Sequence, residues 1–494
     1  MIKLFPKCLT ILCLIFIGCS SKNSSKLELM DVFSDGMVLQ QKSKSKIWGK
    51  SSPNSSINIE GTWGIKLSIE SDQYGNWITE LNTPEAGGPY SLRISSGITE
   101  KVISDILFGE VWFASGQSNM EMTLEGYLPN EPIDNGEEEI LNSLNNNIRM
   151  FTVTNNVTLS KINTAKGSWL KSNPKNSRYF SATAYFFAKK IQKELNIPVG
   201  IISSSWGGTP AESWVSEEKL RTIRDFDDKI NAIHNKYKYL NNSPVPLNKS
   251  KGNVLDADPK ECCLSLPVVL YNSMVNPFIN YKIAGVIWYQ GESNVPKPKQ
   301  YRKLFPLLIN DWRDKWGYNF PFYFVQLAPY KYDGQSKNKL AELRDAQRAT
   351  LKLSKTAMVV TLDNTKNFHL IHPTNKSIVG LRLANIALNR NYNKDIIDSG
   401  PLFKKMEIIN NKVIIEFKHV GSGLTKKGNK LFGFEIAGAD KKFQEAKAKI
   451  NRDKVIVWNN KILKPKFVRY GWKDTSTASL FNMEGLPASS FQIP

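Results

Sequence analysis

Cysteine and histidine are the scarce residues of this 494-residue chain. Of five cysteines, Cys8, Cys13 and Cys19 fall at the extreme amino terminus, leaving Cys262 and Cys263 for a folded body. Adjacent cysteines close no useful loop, which excludes a disulfide-built fold, and no spaced Cys/His set suggests a zinc site. Four histidines occur, His234, His369, His372 and His419, so chemistry that needs an imidazole has few places to find one. Acidic charge is also short: 66 Lys plus Arg stand against 45 Asp plus Glu, a net charge of +21. That excess raises the question of a polyanionic partner. The lysines are scattered, however, and no finger, basic zipper or stacked-aromatic motif accompanies them, so nucleic acid is not expected. A solvated basic surface near anionic lipid or polysaccharide is expected instead.

Core-forming material is plentiful: 41% of residues are hydrophobic, with 12 Trp, 17 Tyr and 24 Phe. The length fits two or three domains. Residues 1–18 carry Lys3 and Lys7, then an apolar run from Leu9 to Ile17 too short for a permanent membrane span, as in an export signal. Phe16-Ile-Gly-Cys19 resembles a bacterial lipoprotein box. The resemblance implies acylation of Cys19, a tether over 19–26, and an exported lipoprotein of the periplasm or outer membrane.

Residues 27–105 show short extended runs separated by turns (Met37–Leu39, Ser45–Trp48, Ser56–Ile59, Pro89–Ile94), which predict a small β domain. From 106 to 395 the period changes. Apolar strand-like runs at Ile106–Ala114, Val199–Ser203, Ala284–Tyr289, Phe322–Leu327 and Ala357–Leu362 alternate with helical patterns at Ser181–Leu195, Arg302–Trp316 and Leu340–Leu351. This alternation predicts an α/β layer with a mostly parallel sheet, whose active groups gather at the carboxyl ends of the strands. Asn235–Ser265 reads as a polar excursion. Residues 396–494 return to short strands and predict a terminal β module.

The strand ending at Ala114 runs into Ser115-Gly-Gln-Ser-Asn119, small polar residues suited to presenting atoms rather than filling a core. Ser118 is therefore the candidate nucleophile, although its flanks are not those of a G-x-S-x-G elbow. A serine hydroxyl needs a base that is neutral near pH 7. His369 and His372 follow a strand and so fall at the same sheet edge; His372, restricted by Pro373, is the preferred base. His369 then serves a supporting or substrate-contacting role, and an HxxH metal site is the alternative. Asp363, just after its strand, is a candidate to fix the imidazole tautomer. Two further strand ends, Ser203–Thr209 and Gly291–Asn294, bring glycines and an amide. The Ser118 N–H, the Gly208 N–H (or its neighbour Gly207) and the Asn294 amide are candidate donors to a developing oxyanion, each worth about 3 kcal/mol in the transition state. Gln117, Asn119, Trp206, Gln290 and Glu292 on these loops are candidate sugar contacts, with Trp214 and Trp288 as further stacking surfaces.

Gly116-Gln-Ser-Asn-Met120, Trp206-Gly-Gly-Thr209, Trp288-Tyr-Gln-Gly-Glu-Ser-Asn294 and Ile371-His-Pro373 together resemble the ordered blocks of the sialate O-acetylesterase family, within the SGNH hydrolases. Met37-Val-Leu-Gln40, Ala86-Gly-Gly-Pro-Tyr90, Val468-Arg-Tyr-Gly-Trp472 and Asn482-Met-Glu-Gly-Leu-Pro487 extend the resemblance over nearly the whole chain. It implies an α/β, SGNH-like three-layer domain between two β domains. It also implies a cofactor-free, metal-independent serine esterase acting on O-acetylated sialic acid or another acetylated glycan, with Ser118 as nucleophile, Gly208 and Asn294 at the oxyanion and His372 as base. Family members often carry an Asp ahead of Ile-His-Pro, whereas this chain reads Phe368-His-Leu-Ile-His-Pro373. The acidic partner is therefore open among Asp363, Glu292, a backbone carbonyl and none. Rival readings are an acetylxylan or other polysaccharide esterase, a non-catalytic carbohydrate-binding surface lipoprotein, and a glycosidase drawing on Glu121, Glu125, Glu212 or Glu292.

Overall fold

The computed structural model describes residues 27–236, 245–246, 263–332, 334 and 338–493. The expected export signal, the tether, Cys19, Cys262 and much of the polar excursion lie outside these residues; Cys263 is buried.

One strand, Thr99–Gly116, organises the molecule. Its first half pairs antiparallel with Gly87–Ser96, and Val38–Gln40 lies parallel to it. Its second half lies between the parallel strands Val199–Ser205 and Gly285–Tyr289. The antiparallel pairing ends at Phe108 and the parallel pairing begins at Glu110; shortly before, Asp105 takes a left-handed backbone conformation (φ 58°). The buried Arg149 holds this bend, donating to the Asp105 carbonyl at 2.6 Å and to its carboxylate at 2.9 Å. Burial follows the same division: the Thr99–Asp105 half is mostly exposed, and every residue from Leu107 onward is buried.

The central sheet runs 169–172, 145–152, 199–205, 99–116, 285–289, 322–325, 356–359. Along this order only the edge strand Trp169–Ser172 is antiparallel, so the α/β layer is mostly parallel as expected; the amino-terminal strands join it, and the sheet as a whole is mixed. The parallel strands are buried at nearly every position, as strands covered on both faces must be. Helices cover them. Ala182–Leu195 begins where the Ser181 hydroxyl accepts from the Ala184 amide, and it packs on Lys376–Arg390. Gly380 allows that approach, because a Cβ there would sit 2.6 Å from Phe186. Pro298–Trp316 starts four residues before the predicted helix and packs on Lys339–Ala349.

The β elements from Leu402 onward have an apolar core of their own, built on Val413, Ile415, Val455, Val457, Tyr470 and Phe491. They dock on the α/β layer through Ala478 and Phe481, which join the main apolar core, and through polar contacts: Arg344 donates to the Lys473 carbonyl at 2.8 Å, and Gln326 to the Ser489 hydroxyl at 2.9 Å.

Candidate active site

Three adjacent strands, 199–205, 99–116 and 285–289, end at one edge of the sheet, and the loops beyond them meet there. Gly116 (φ 141°) lies so close to the next strand that a Cβ would stand 2.1 Å from the Tyr289 carbonyl oxygen. The chain then turns into the short helix Ser118–Glu121. Ser118 is its first residue, so the Ser118 amide has no acceptor within the helix.

The imidazole comes from the loop between Thr356–Val359 and Lys376–Arg390. Both ends of that loop are fixed. At its start Asp363 forms a two-point ion pair with Arg382 (2.8 and 2.7 Å), and Arg382 also donates to the Val360 carbonyl at 2.8 Å. At its end the Asn375 side chain caps the helix by accepting from the Ile378 amide at 3.1 Å. His372 Nε2 lies 2.9 Å from Ser118 Oγ, and His372 Nδ1 lies 2.6 Å from Glu131 Oε2. The Tyr127 ring stands edge-on to the imidazole at 5.1 Å, and the Tyr127 hydroxyl donates to the Ser118 carbonyl at 3.2 Å.

The carboxylate beside His372 is thus Glu131. Asp363, the sequence candidate, is occupied by Arg382, and Glu292 by Asn119. Glu131 sits in Leu128-Pro-Asn-Glu-Pro132, and the Tyr127–Glu131 pair of backbone hydrogen bonds (3.0 and 2.9 Å) closes that turn. It is separated from His372 by 241 positions, and its one sequence signal is an acid between two prolines soon after the serine.

Burial holds the His372 imidazole below the ordinary histidine pKa of 6.5, against the opposing pull of Glu131. The ring is therefore biased toward the neutral form that accepts a proton.

Several expected contacts take other roles. The Gly207 amide donates to Glu121 Oε2 at 2.7 Å, which removes Gly207 as the alternative oxyanion donor. Gly208 is exposed, at φ 74°, with nothing within 4 Å of a Cβ placed there. Asn294 is buried; its Nδ2 donates to Glu212 at 2.8 Å, and its Oδ1 accepts from the Ala211 amide and from Gln290. Gln117, Asn119, Gln290 and Glu292, expected as sugar contacts, are buried and bonded inside the protein. Gln117 Oε1 accepts from the amides of Gly291 and Ser293, each at 3.3 Å, tying the serine loop to its neighbour. Asn119 donates to Glu292 Oε1 at 2.5 Å and to the Ile371 carbonyl at 3.1 Å. Burial raises the Glu292 carboxyl above the usual range. Trp214 and Trp288 are fully buried core residues, leaving the half-buried Trp206 as the accessible indole of the three. His369 is exposed, and His234 pairs with Glu217, 17 positions before it. Glu125 pairs with Arg178, so none of the four glutamates weighed for glycoside chemistry lacks a protein partner. Among the described residues no group of three or more His, Cys, Asp or Glu side chains forms a metal-binding cluster.

Residues 267–389 match the family model described as carbohydrate esterase, sialic acid-specific acetylesterase. Over 421 residues the chain is 30% identical to the sialate O-acetylesterase of Mus musculus, covering 76% of this chain and 75% of the relative. It is 28% identical over 436 residues to that of Homo sapiens, with 80% and 77% covered. A crystal structure of a carbohydrate acetylesterase from Xanthomonas citri superposes with a TM-score of 0.82 at 33% identity, covering 95% of this chain and all of that one. All of these fall in one class, the carbohydrate esterases. Within it, the chain belongs to the sialate O-acetylesterase family.

Proposed function

We propose that this protein is a carbohydrate O-acetylesterase of the SGNH type, cleaving acetyl esters on sugar hydroxyls through an acetyl-serine. The observation that carries the reading is the continuous chain of Glu131 Oε2, His372 and Ser118 Oγ at 2.6 and 2.9 Å, open at a sheet edge. In the first half-reaction Ser118 Oγ attacks the acetyl carbonyl carbon while His372 Nε2 takes the hydroxyl proton; Glu131 accepts from Nδ1–H and favours the imidazolium. Negative charge on the carbonyl oxygen meets the Ser118 and Gly208 amides, with the second Nδ2 hydrogen of Asn294 as a third donor. The intermediate collapses as the sugar oxygen leaves and takes the proton from His372. Water then attacks the acetyl-serine, His372 accepts the water proton and returns it to Ser118, and acetate departs.

Sialic acid is the favoured sugar, since the mammalian relatives are named for it. A broader acetylated polysaccharide, acetylxylan included, is the second reading. It is favoured by the Xanthomonas relative, whose description specifies no sugar. Acetate release from 9-O-acetyl sialic acid, acetylated xylan and simple acetyl sugars decides between them, with S118A as the control. Equal release by wild type and S118A would end the serine mechanism. We further assign the chain to the cell envelope as a Cys19-lipidated protein on its amino-terminal sequence. Incorporation of radiolabelled palmitate, lost in C19A, is the expected result.

A further inference from the structure

Lys376 is the first residue of its helix and is completely buried, an unusual place for an ammonium group. Its Nζ donates to the Pro373 carbonyl at 2.7 Å and to Asn119 Oδ1 at 2.6 Å, and it stands 5.8 Å from the centre of the Tyr289 ring. The Asn119 amide nitrogen donates in turn to Glu292 Oε1 and to the Ile371 carbonyl. The carbonyls on either side of His372 are therefore both held: that of Ile371 by Asn119, and that of Pro373 by Lys376. Asn119 is the residue next to Ser118, so one side chain joins the base loop to the nucleophile's helix, bridging a buried acid and a buried cation. A helix start needs no lysine there, and a buried ammonium is costly unless its donors are used.

We infer that Lys376 is a positioning residue for the reaction, clamping the His372 loop against Asn119 so that the imidazole keeps its distance from the Ser118 hydroxyl. The inference rests on the serine-esterase reading above. Loss of the clamp leaves the fold of the sheet in place and loosens the imidazole, and a displacement near 1 Å at such a site costs about a hundredfold in rate. Lys376 also acts on His372 as a like charge. The groups facing the imidazole are Glu131, Glu121, Lys376 and the Tyr127 ring; those facing Lys376 are Glu292, Glu131, Asn119 and the Tyr289 ring. Burial pushes the Lys376 ammonium down to about 7. Its charge lowers the pKa of His372, so removing it raises that pKa.

The test is K376M, which keeps most of the side chain's length and removes its donors, assayed for acetate release across pH beside wild type and S118A, with thermal melts. The expected result is kcat lower by about tenfold to a hundredfold, KM changed by less than about threefold, and the acid limb of kcat/KM moved to higher pH. A merely structural lysine would lower the melting temperature and leave kcat per folded molecule within about twofold of wild type. If K376M gives no cooperative melt, K376Q, which retains a donor, is read in its place with the same limb shift and a smaller loss of kcat. A kcat within about twofold of wild type per folded molecule, wherever the acid limb lies, overturns the clamp alone, provided S118A is inactive. Activity retained in S118A overturns the serine mechanism and the clamp with it.

Discussion

Two histidines of this chain sit against glutamates at almost the same distance. His372 Nδ1 lies 2.6 Å from Glu131, and His234 Nε2 lies 2.7 Å from Glu217. Their surroundings differ in three ways. The first pair is more enclosed, with both side chains 18% exposed against 34% and 28% for the second. Glu217 also takes two hydrogen bonds from Arg221, at 2.9 and 2.8 Å, and so already has a cation beside it. And His372 uses Nδ1 for its carboxylate, which leaves Nε2 aimed at a serine hydroxyl, whereas His234 gives Nε2 to the carboxylate. A histidine–carboxylate pair is thus no signature of catalysis by itself. The group on the other ring nitrogen, and whether the carboxylate's charge is already neutralised, separate a base from a surface ion pair.

The widest separation of the two sites is expected on deleting each imidazole. H372A should lose roughly 10⁴-fold in acetate release, while H234A stays within about twofold of wild type and changes stability by less than about 1 kcal/mol. Comparable losses in both variants, measured per mole of folded protein, would erase the distinction. Next come the carboxylates. E131Q should reduce kcat by about 10²–10⁴-fold with little change in KM, because the amide no longer fixes the tautomer, and E217Q should leave kcat alone.

Asp363 sharpens the comparison from a different side, since it lies in the base loop but faces Arg382. D363N leaves a buried arginine without its counter-charge and should cost about 3 kcal/mol of stability, seen as a lower urea midpoint, while the folded fraction keeps most of its kcat. A kcat loss matching that of E131Q would return Asp363 to the reaction. The smallest effect is in pH. The proposed base, His372, must be neutral to act, and burial lowers its pKa, so the acid limb of kcat/KM should lie below pH 6.5. Glu131 favours the protonated ring, so E131Q should move that limb further down. K376M should move it up, the opposite sign from the neighbouring loop.

Much of this arrangement is readable along the chain because Ser118 lies just past a buried strand and His372 in the loop after another, and strands announce themselves by apolar runs. The acid was not readable. Glu131 reaches the imidazole from a loop 241 positions away, and nothing in the spacing of a surface turn says where its side chain points. Polar residues beside the serine were misjudged for a related reason. Gln117, Asn119, Gln290 and Glu292 look like groups placed to meet a sugar, yet they hold adjacent loops together, and their burial exists only once those loops have met. Trp214 and Trp288 looked like stacking surfaces and are core, because indoles close to a strand end pack inward as readily as outward. In the central sheet, Lys101, Ser104 and Asp105 interrupt the hydrophobic pattern, so the strand was read from Ile106. In fact it starts at Thr99, where it is largely exposed and a mixed pattern is what a strand should show.

The unbroken run from Thr99 to Gly116 has a bearing on how the protein can be cut. A truncation made at residue 105 would remove no separate appendage. It would sever a continuous polypeptide rail that one layer grips at its first half while the other holds the end carrying Ser118, and would strip the pairing partners from half of it. The portion from Leu402 onward has its own apolar interior, so excision is better tolerated there than at the amino-terminal β layer, which braces the strand that leads to Ser118.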